Sequence, residues 1–234
     1  MIYDGHDMRD LLLITSAERV AVPASNIEEI EVPGMDGARF KGRTLASFDI
    51  EVTAALNARD YRDVARVRRE LAARLIRDEP KSLILDDEPE MRYLAIVDSS
   101  SALASVWKHA TFTLTFHVCD PVAYGMESGA TVGTSETAVR VGGTYKTYPT
   151  ARSRPNGSSY RISNVSTGEY VEVQGDFDGT GELVVYFDEM RAEYKSKSID
   201  TGVTLMSDYF ALNPGEVILA ATAETEVEWA ERWL

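Results

Sequence analysis

The stretch FDIEVTAALNARDYRDVARVRRELAARLIRDEP, residues 48–80, contains both periodicities on which the chain is built. In its first part Phe48, Ile50 and Val52 alternate with Asp49, Glu51 and Thr53, the period of two that gives a strand one buried face. The period then lengthens. Tyr61, Val64, Val67, Leu71 and Leu75 recur every three or four residues and draw one apolar stripe along a helix. The pattern predicts a helix over 57–78, with Asn57 as N-cap, Asp60 three residues on in the capping-box position, and Pro80 barring any further turn. Beside the apolar stripe runs a basic one, Arg59, Arg62, Arg66 and Arg69. Nucleic acid is one conceivable partner for it. Yet Asp63 follows Arg59 by four residues, Glu70 follows Arg66 by four, and Arg74 follows Glu70 by four, the spacing of ion pairs on a solvated helix face. A second reading makes the four arginines half of an interface with an acidic neighbouring subunit.

Working outward, short alternating runs at 83–85, 93–97 and 111–118 read as strands, separated by the acidic turn Asp86-Asp87-Glu88-Pro89 and the serines Ser99 to Ser101. Residues 1–123 are therefore sheet plus one amphipathic helix. The composition then shifts toward glycine, serine and threonine. Seven short segments follow, at 138–141, 161–165, 170–174, 183–187, 194–198, 217–221 and 226–233, each bounded by turn residues. Spacing of that kind indicates an antiparallel β-sandwich or jelly roll. The expected class is mainly β, with an α+β domain over 1–123 and a β-sandwich domain over 124–234. A length of 234 residues suits two domains.

Composition excludes several functions. Lys and Arg total 24 against 38 Asp and Glu, a net charge of −14 that falls on both halves, so a broad face for nucleic-acid phosphates is not expected. No apolar run approaches the roughly 20 residues of a bilayer span, and the first residues lack the pattern of a secretory signal, so no membrane insertion is expected. A single cysteine precludes an internal disulfide and a cysteine-cluster zinc site. The GxGxxG, GxxxxGK[ST], GxSxG and HExxH patterns are absent. His6, His109 and His117 are scattered, and alternation places His117 on the polar face of its strand. Cys119 reads as a small half-buried packing residue. Asp176-Phe177-Asp178-Gly179-Thr180-Gly181-Glu182 has alternating carboxylates before a glycine, but an EF-hand counted from Asp176 needs glutamate where Phe187 stands, and strands flank the string. It reads as a hairpin turn. No catalytic, cofactor-binding or metal-binding residue is therefore assigned. A hydrolase pairing Asp86 with Asp176 is the least supported rival. A carbohydrate-binding module that contacts the host surface through Tyr145, Tyr148, Tyr160 and Tyr209 is the stronger one.

The order of these pieces resembles the distal tail protein family of siphophages, the phage tail family component of long non-contractile tails. The resemblance rests on Val32-Pro33-Gly34-Met35-Asp36-Gly37 and on the helix closed by Glu79-Pro80. It rests further on Leu83-Ile84-Leu85-Asp86-Asp87-Glu88-Pro89 leading to Tyr93, and on the Thr111–Phe116 strand ending in Cys119-Asp120-Pro121. In the second half it rests on Asn164 with Thr167-Gly168, on Asn213-Pro214-Gly215 before Val217, and on the closing Trp229-Ala230-Glu231-Arg232-Trp233-Leu234. Family members commonly carry a basic residue where Met35 stands, and longer relatives carry inserted sugar-binding modules for which this chain has no room. The resemblance implies an N-terminal tail-tube-like β-sandwich with a flanking helix and protruding hairpin, and a C-terminal galectin-like sandwich. It also implies a homo-hexameric ring at the distal end of the tail of a virion made in bacterial host cytoplasm. The implied partners are the tail tube protein, tail-tip and tail-associated fibre proteins, and receptor-binding proteins, with DNA crossing the lumen without specific binding. Six copies would carry a formal charge of about −84, and an acidic lumen would repel passing DNA.

Overall fold

The computed structural model describes residues 1–101 and 111–234, apart from the side chain of Tyr61. These fall into two compact units, Met1–Ala123 and Tyr124–Trp233. The strands of the first are β1 (Ile2–Tyr3), β2 (His6–Asp7), β3 (Leu12–Glu18), β4 (Ser25–Glu31), β5 (Ala38–Leu45), β6 (Phe48–Leu56), β7 (Lys81–Ile84), β8 (Tyr93–Ser100) and β9 (Thr111–Val118), with helix α1 (Tyr61–Leu75) between β6 and β7. Seven of the strands form one antiparallel sheet in the order β2-β1-β7-β8-β9-β6-β3; β4 and β5 form a separate two-stranded ribbon. Alternation in β9 buries Phe112, Leu114, Phe116 and Val118, and Phe116 meets Tyr3 edge-on at 5.3 Å between ring centroids. In α1, Val67, Leu71 and Leu75 are buried along the expected stripe.

The helix is shorter than its sequence pattern predicts. Its N-cap is Asp60, not Asn57: the Asp60 carboxylate accepts from the backbone N–H groups of Arg62 and Asp63, while the Asn57 N–H donates to the Leu11 carbonyl at 2.8 Å. A charged oxygen facing the first-turn amides outcompetes the amide side chain three residues earlier. At the other end the chain becomes extended at Ile76, before Pro80 can act. There Arg77 donates to the Ala73 and Ile76 carbonyls at 2.9 and 2.8 Å and to Asp4 at 2.6 Å, satisfying acceptors the helix leaves open.

The second unit contains β10 (Ala123–Val132), β11 (Thr137–Val141), β12 (Thr150–Ser153), β13 (Asn156–Asn164), β14 (Tyr170–Asp178), β15 (Leu183–Tyr186), β16 (Arg191–Tyr194), β17 (Lys197–Ser198), β18 (Gly215–Ala221) and β19 (Thr225–Trp233). They make a six-stranded sheet, β10-β19-β12-β15-β16-β17, and a four-stranded one, β11-β18-β13-β14. One core joins them, with Ile162, Val173 and Leu219 from the smaller sheet and Leu183, Val185 and Val227 from the larger, which is a sandwich. The run at 194–198 is two strands and a turn, not one strand. Lys195 and Ser196 both have positive φ, 52° and 61°, so β16 and β17 meet through a two-residue turn. Neither residue is of the Asn-Gly type that announces such turns. Instead Lys195 is held in place by Asp178 at 2.6 Å.

Candidate assembly surfaces

The four arginines of the basic stripe are all exposed, but the structure divides them. Arg59 precedes the helix, and its backbone N–H donates to Asp63 at 3.1 Å. Arg66 bonds Asp63 at 2.7 Å and Glu70 at 2.8 Å, and Glu70 also receives Arg74 at 2.7 Å. Arg74 reaches on to Asp10 at 3.0 Å. Arg62 and Arg69 project from the same helix, and Arg69 makes no ion pair among the described residues. The helix face is thus laced internally at Arg66, while the side chains of Arg59 and Arg69 make no ion pair among the described residues.

The carboxylate clusters serve structure. Asp86 receives the Met1 ammonium at 2.5 Å. Arg19 bridges Asp87 at 3.0 Å and Glu88 at 2.7 Å, and the Tyr93 hydroxyl donates to Glu88 at 3.2 Å. Burial, with the Glu88 charge beside it, pushes the Tyr93 phenol up to about 12. In the glycine-rich string Asp178 accepts from the Thr180 and Gly181 N–H groups, the Thr180 and Tyr194 hydroxyls and the Lys195 ammonium. The Lys195 bond, followed by those backbone bonds, holds its carboxyl far below the usual range. With both carboxylate oxygens so engaged this is a structural turn, but not the expected hairpin: β14 pairs with β13 and β15 with β12 and β16, so the turn carries the chain from the smaller sheet to the larger. Among the described residues no group of three or more His, Cys, Asp or Glu is placed to hold a metal ion. Asp86 belongs to the first unit and Asp176 to the second, and both are exposed.

His117 lies opposite Asp49 in the β6–β9 register, with Nδ1 2.7 Å from its carboxylate, a polar-face pair. His109 lies outside the described residues. Cys119 is exposed, not half-buried, because it falls one residue past the end of β9, where alternation no longer sets its side.

The tyrosine platform is not there. Tyr160 is 1% exposed, its hydroxyl 2.8 Å from Thr225 Oγ1. Tyr209 packs edge-on to Phe187 at 5.9 Å. Tyr145 lies against the Arg232 guanidinium and Tyr148 near Lys146, both half-buried. Sugar stacking needs open ring faces, and these rings are occupied by their own fold.

One open apolar surface is not singled out by periodicity. The β4–β5 ribbon exposes Ile27, Ile30 and Phe40, and its tip exposes Met35. Six of the seven β4 residues and six of the eight β5 residues are exposed. ARFKGRTL alternates, but in SNIEEIE Ile27 and Ile30 lie three residues apart across a register shift at Glu28 and Glu29, so the signal was the Pro-Gly and Asp-Gly turn between the two runs.

Residues 6–118 match the family model of the phage tail protein RIFT-related domain, and residues 142–233 that of the siphovirus-type tail component, C-terminal domain. The distal tail protein of Bacillus phage SPP1 is 24% identical over 241 residues, spanning all of this chain and 95% of that protein. Its crystal structure, presented as a paradigm of the hub adsorption apparatus in phages infecting Gram-positive bacteria, superposes with a TM-score of 0.86 at 25% identity, covering 100% of this chain and 98% of the other. A chain of the phage P2 baseplate in its activated conformation with Ca shares the fold at a TM-score of 0.56 and 8% identity, over 96% of this chain and 91% of that one. With domain models matched in sequence order over both units and an end-to-end likeness in structure, the chain belongs to the distal tail protein family of siphophages.

Proposed function

We propose that this chain is the hub at the distal end of a long non-contractile phage tail: six copies close into a ring that continues the tail tube and anchors the tail-tip and adhesion apparatus. The observation that carries the reading is the end-to-end similarity to the SPP1 distal tail protein. The residue chemistry agrees with it. The ionisable clusters are spent on turns, caps and cross-strand pairs, so the role is structural and not enzymatic. In this reading 1–123 forms the ring and 124–234 is the docking domain on which the tail-tip fibres and receptor-binding proteins gather. Arg59, Arg62, Arg66 and Arg69 face an acidic neighbour. The net charge of −14 per copy gives the bore an acidic character, over which DNA passes without being held.

Electron microscopy and native mass spectrometry of the purified chain, alone and with the tail tube protein, test this. A six-fold annulus, free or capping tube ends, is the expected result. A chain that stays monomeric in both settings, or closes as a two-fold dimer, overturns it, and a bore dominated by lysine and arginine overturns the account of the lumen.

A further inference from the structure

The β4–β5 ribbon has a charge distribution that the rest of the molecule does not explain. Strand β4 carries Glu28, Glu29 and Glu31 and no base; β5 carries Arg39, Lys41 and Arg43 and no acid. Within the ribbon these charges do little for each other. Of the possible cross-strand pairs one forms, Lys41 to Glu28 at 3.4 Å with both side chains more than half exposed, and such a pair contributes about 0–1 kcal/mol. Each strand pairs only with the other, so each has an outer edge whose backbone groups have no strand partner among the described residues. Two-stranded ribbons are marginal in water on their own, and open edges invite pairing with other chains. This ribbon adds Ile27, Ile30 and Phe40 to that exposure.

Charges on edge strands ordinarily block association. Here the block is selective. Two copies meeting β4 to β4 would set three carboxylates against three, and β5 to β5 would set three cations against three. Only β4 of one copy against β5 of the next brings opposite signs together. That contact is heterologous, the kind that propagates round a ring and cannot close a two-fold dimer. Its strand sense also fits. In a ribbon repeated sideways, β5 of one copy runs antiparallel to β4 of the next, so the meander continues unbroken with cross-strand side chains at pairing distance.

Resting on the ring reading above, we infer that the ribbon is a head-to-tail docking element, its acidic β4 edge pairing with the basic β5 edge of a second copy of this chain. The apolar side chains are then covered by the neighbouring ribbon, and the charge segregation sets both the direction of assembly and the identity of the partner edge.

The test is a charge-swapped variant carrying Glu28→Lys, Glu29→Lys, Glu31→Lys, Arg39→Glu, Lys41→Glu and Arg43→Glu. It keeps opposite signs within each ribbon and between its own copies, so it should fold and assemble like the wild type. When it is mixed with isotope-labelled wild type, β5 of one meets β4 of the other with like charges. Native mass spectrometry, in whichever setting rings form, should therefore show two homomeric populations and loss of mixed rings. Free mixing of the two chains overturns the ribbon proposal while leaving the ring intact. Failure of wild type and variant alike to form rings overturns the ring itself. A variant that folds, by its circular dichroism and melting temperature, but cannot assemble with itself also overturns the proposal, because complementarity is preserved in it.

Discussion

Replacing Gly143 by alanine should destabilise the second unit more than the same change at a positive-φ glycine there with open space around it. Gly143 has φ +90°, and a Cβ built on it would lie 2.4 Å from the Arg232 carbonyl oxygen and 3.0 Å from the Arg232 nitrogen, backbone atoms that cannot swing aside as a side chain would. The same carbonyl accepts the N–H groups of Thr144 and Tyr145, both at 3.0 Å, so displacing it weakens two hydrogen bonds as well. The left-handed backbone conformation costs a non-glycine residue about 1–2 kcal/mol, and each disturbed hydrogen bond adds about 1 kcal/mol. The sum is about 3–4 kcal/mol. Gly168 supplies the control, with φ +81° and open space for 4 Å around the position a Cβ would take, so Gly168→Ala should cost only the about 1–2 kcal/mol of backbone strain. Urea unfolding followed by tryptophan fluorescence, to which Trp229 and Trp233 report from β19, measures both. For a slope of about 2 kcal/mol per molar, the Gly143→Ala midpoint should fall by about 1.5–2 M and the Gly168→Ala midpoint by less than about 1 M. Equal midpoints for the two variants, within about 0.5 kcal/mol, would refute the argument from backbone collision.

Arg66→Ala should change stability by less than about 0.5 kcal/mol, because its pairs with Asp63 and Glu70 are solvent-exposed; a melting shift equivalent to 1 kcal/mol or more would contradict this. Arg59→Glu with Arg69→Glu should leave the melting temperature unchanged but abolish ring formation, and rings that persist would remove these residues from the interface. The depressed carboxyl of Asp178 contributes stability that is present above the ordinary carboxylate value and is lost as pH falls below about 4. Asp178→Asn should therefore flatten the acid limb of a melting-temperature profile, and parallel limbs for variant and wild type would rule that out. Burial raises the Tyr160 phenol, so its contribution is present below about pH 10 and is lost above it. Phenolate absorbance should show a component that ionises only with unfolding, and Tyr160→Phe should reduce it by one tyrosine at a cost of about 1 kcal/mol; an undiminished delayed component would assign it to other buried tyrosines.

Much of the fold was legible because it is local. Alternation in β9 set which residues face inward, the i, i+3, i+4 stripe located α1, and the alternating carboxylates of the Asp178 string announced a turn that the hydrogen bonds complete. These patterns depend on neighbours in the chain, so the residues themselves fix them. The distribution of charge among partners could not be read in that way. Spacing paired Glu70 with Arg66 and Asp63 with Arg59; the structure keeps the first pair but gives the Asp63 carboxylate to the Arg66 side chain, leaving Arg59 a backbone bond. Tyr160 looked like an exposed ring until β13 was seen packed inside the sandwich, and Lys195 gave no sign of a turn because its positive φ is held from another strand by Asp178. The ribbon shows both sides of the division. Its acidic and basic strands are written plainly in residues 25–45, yet that the two edges lie open follows only from the strand pairing of the whole sheet, since an edge is defined by the neighbours a strand lacks.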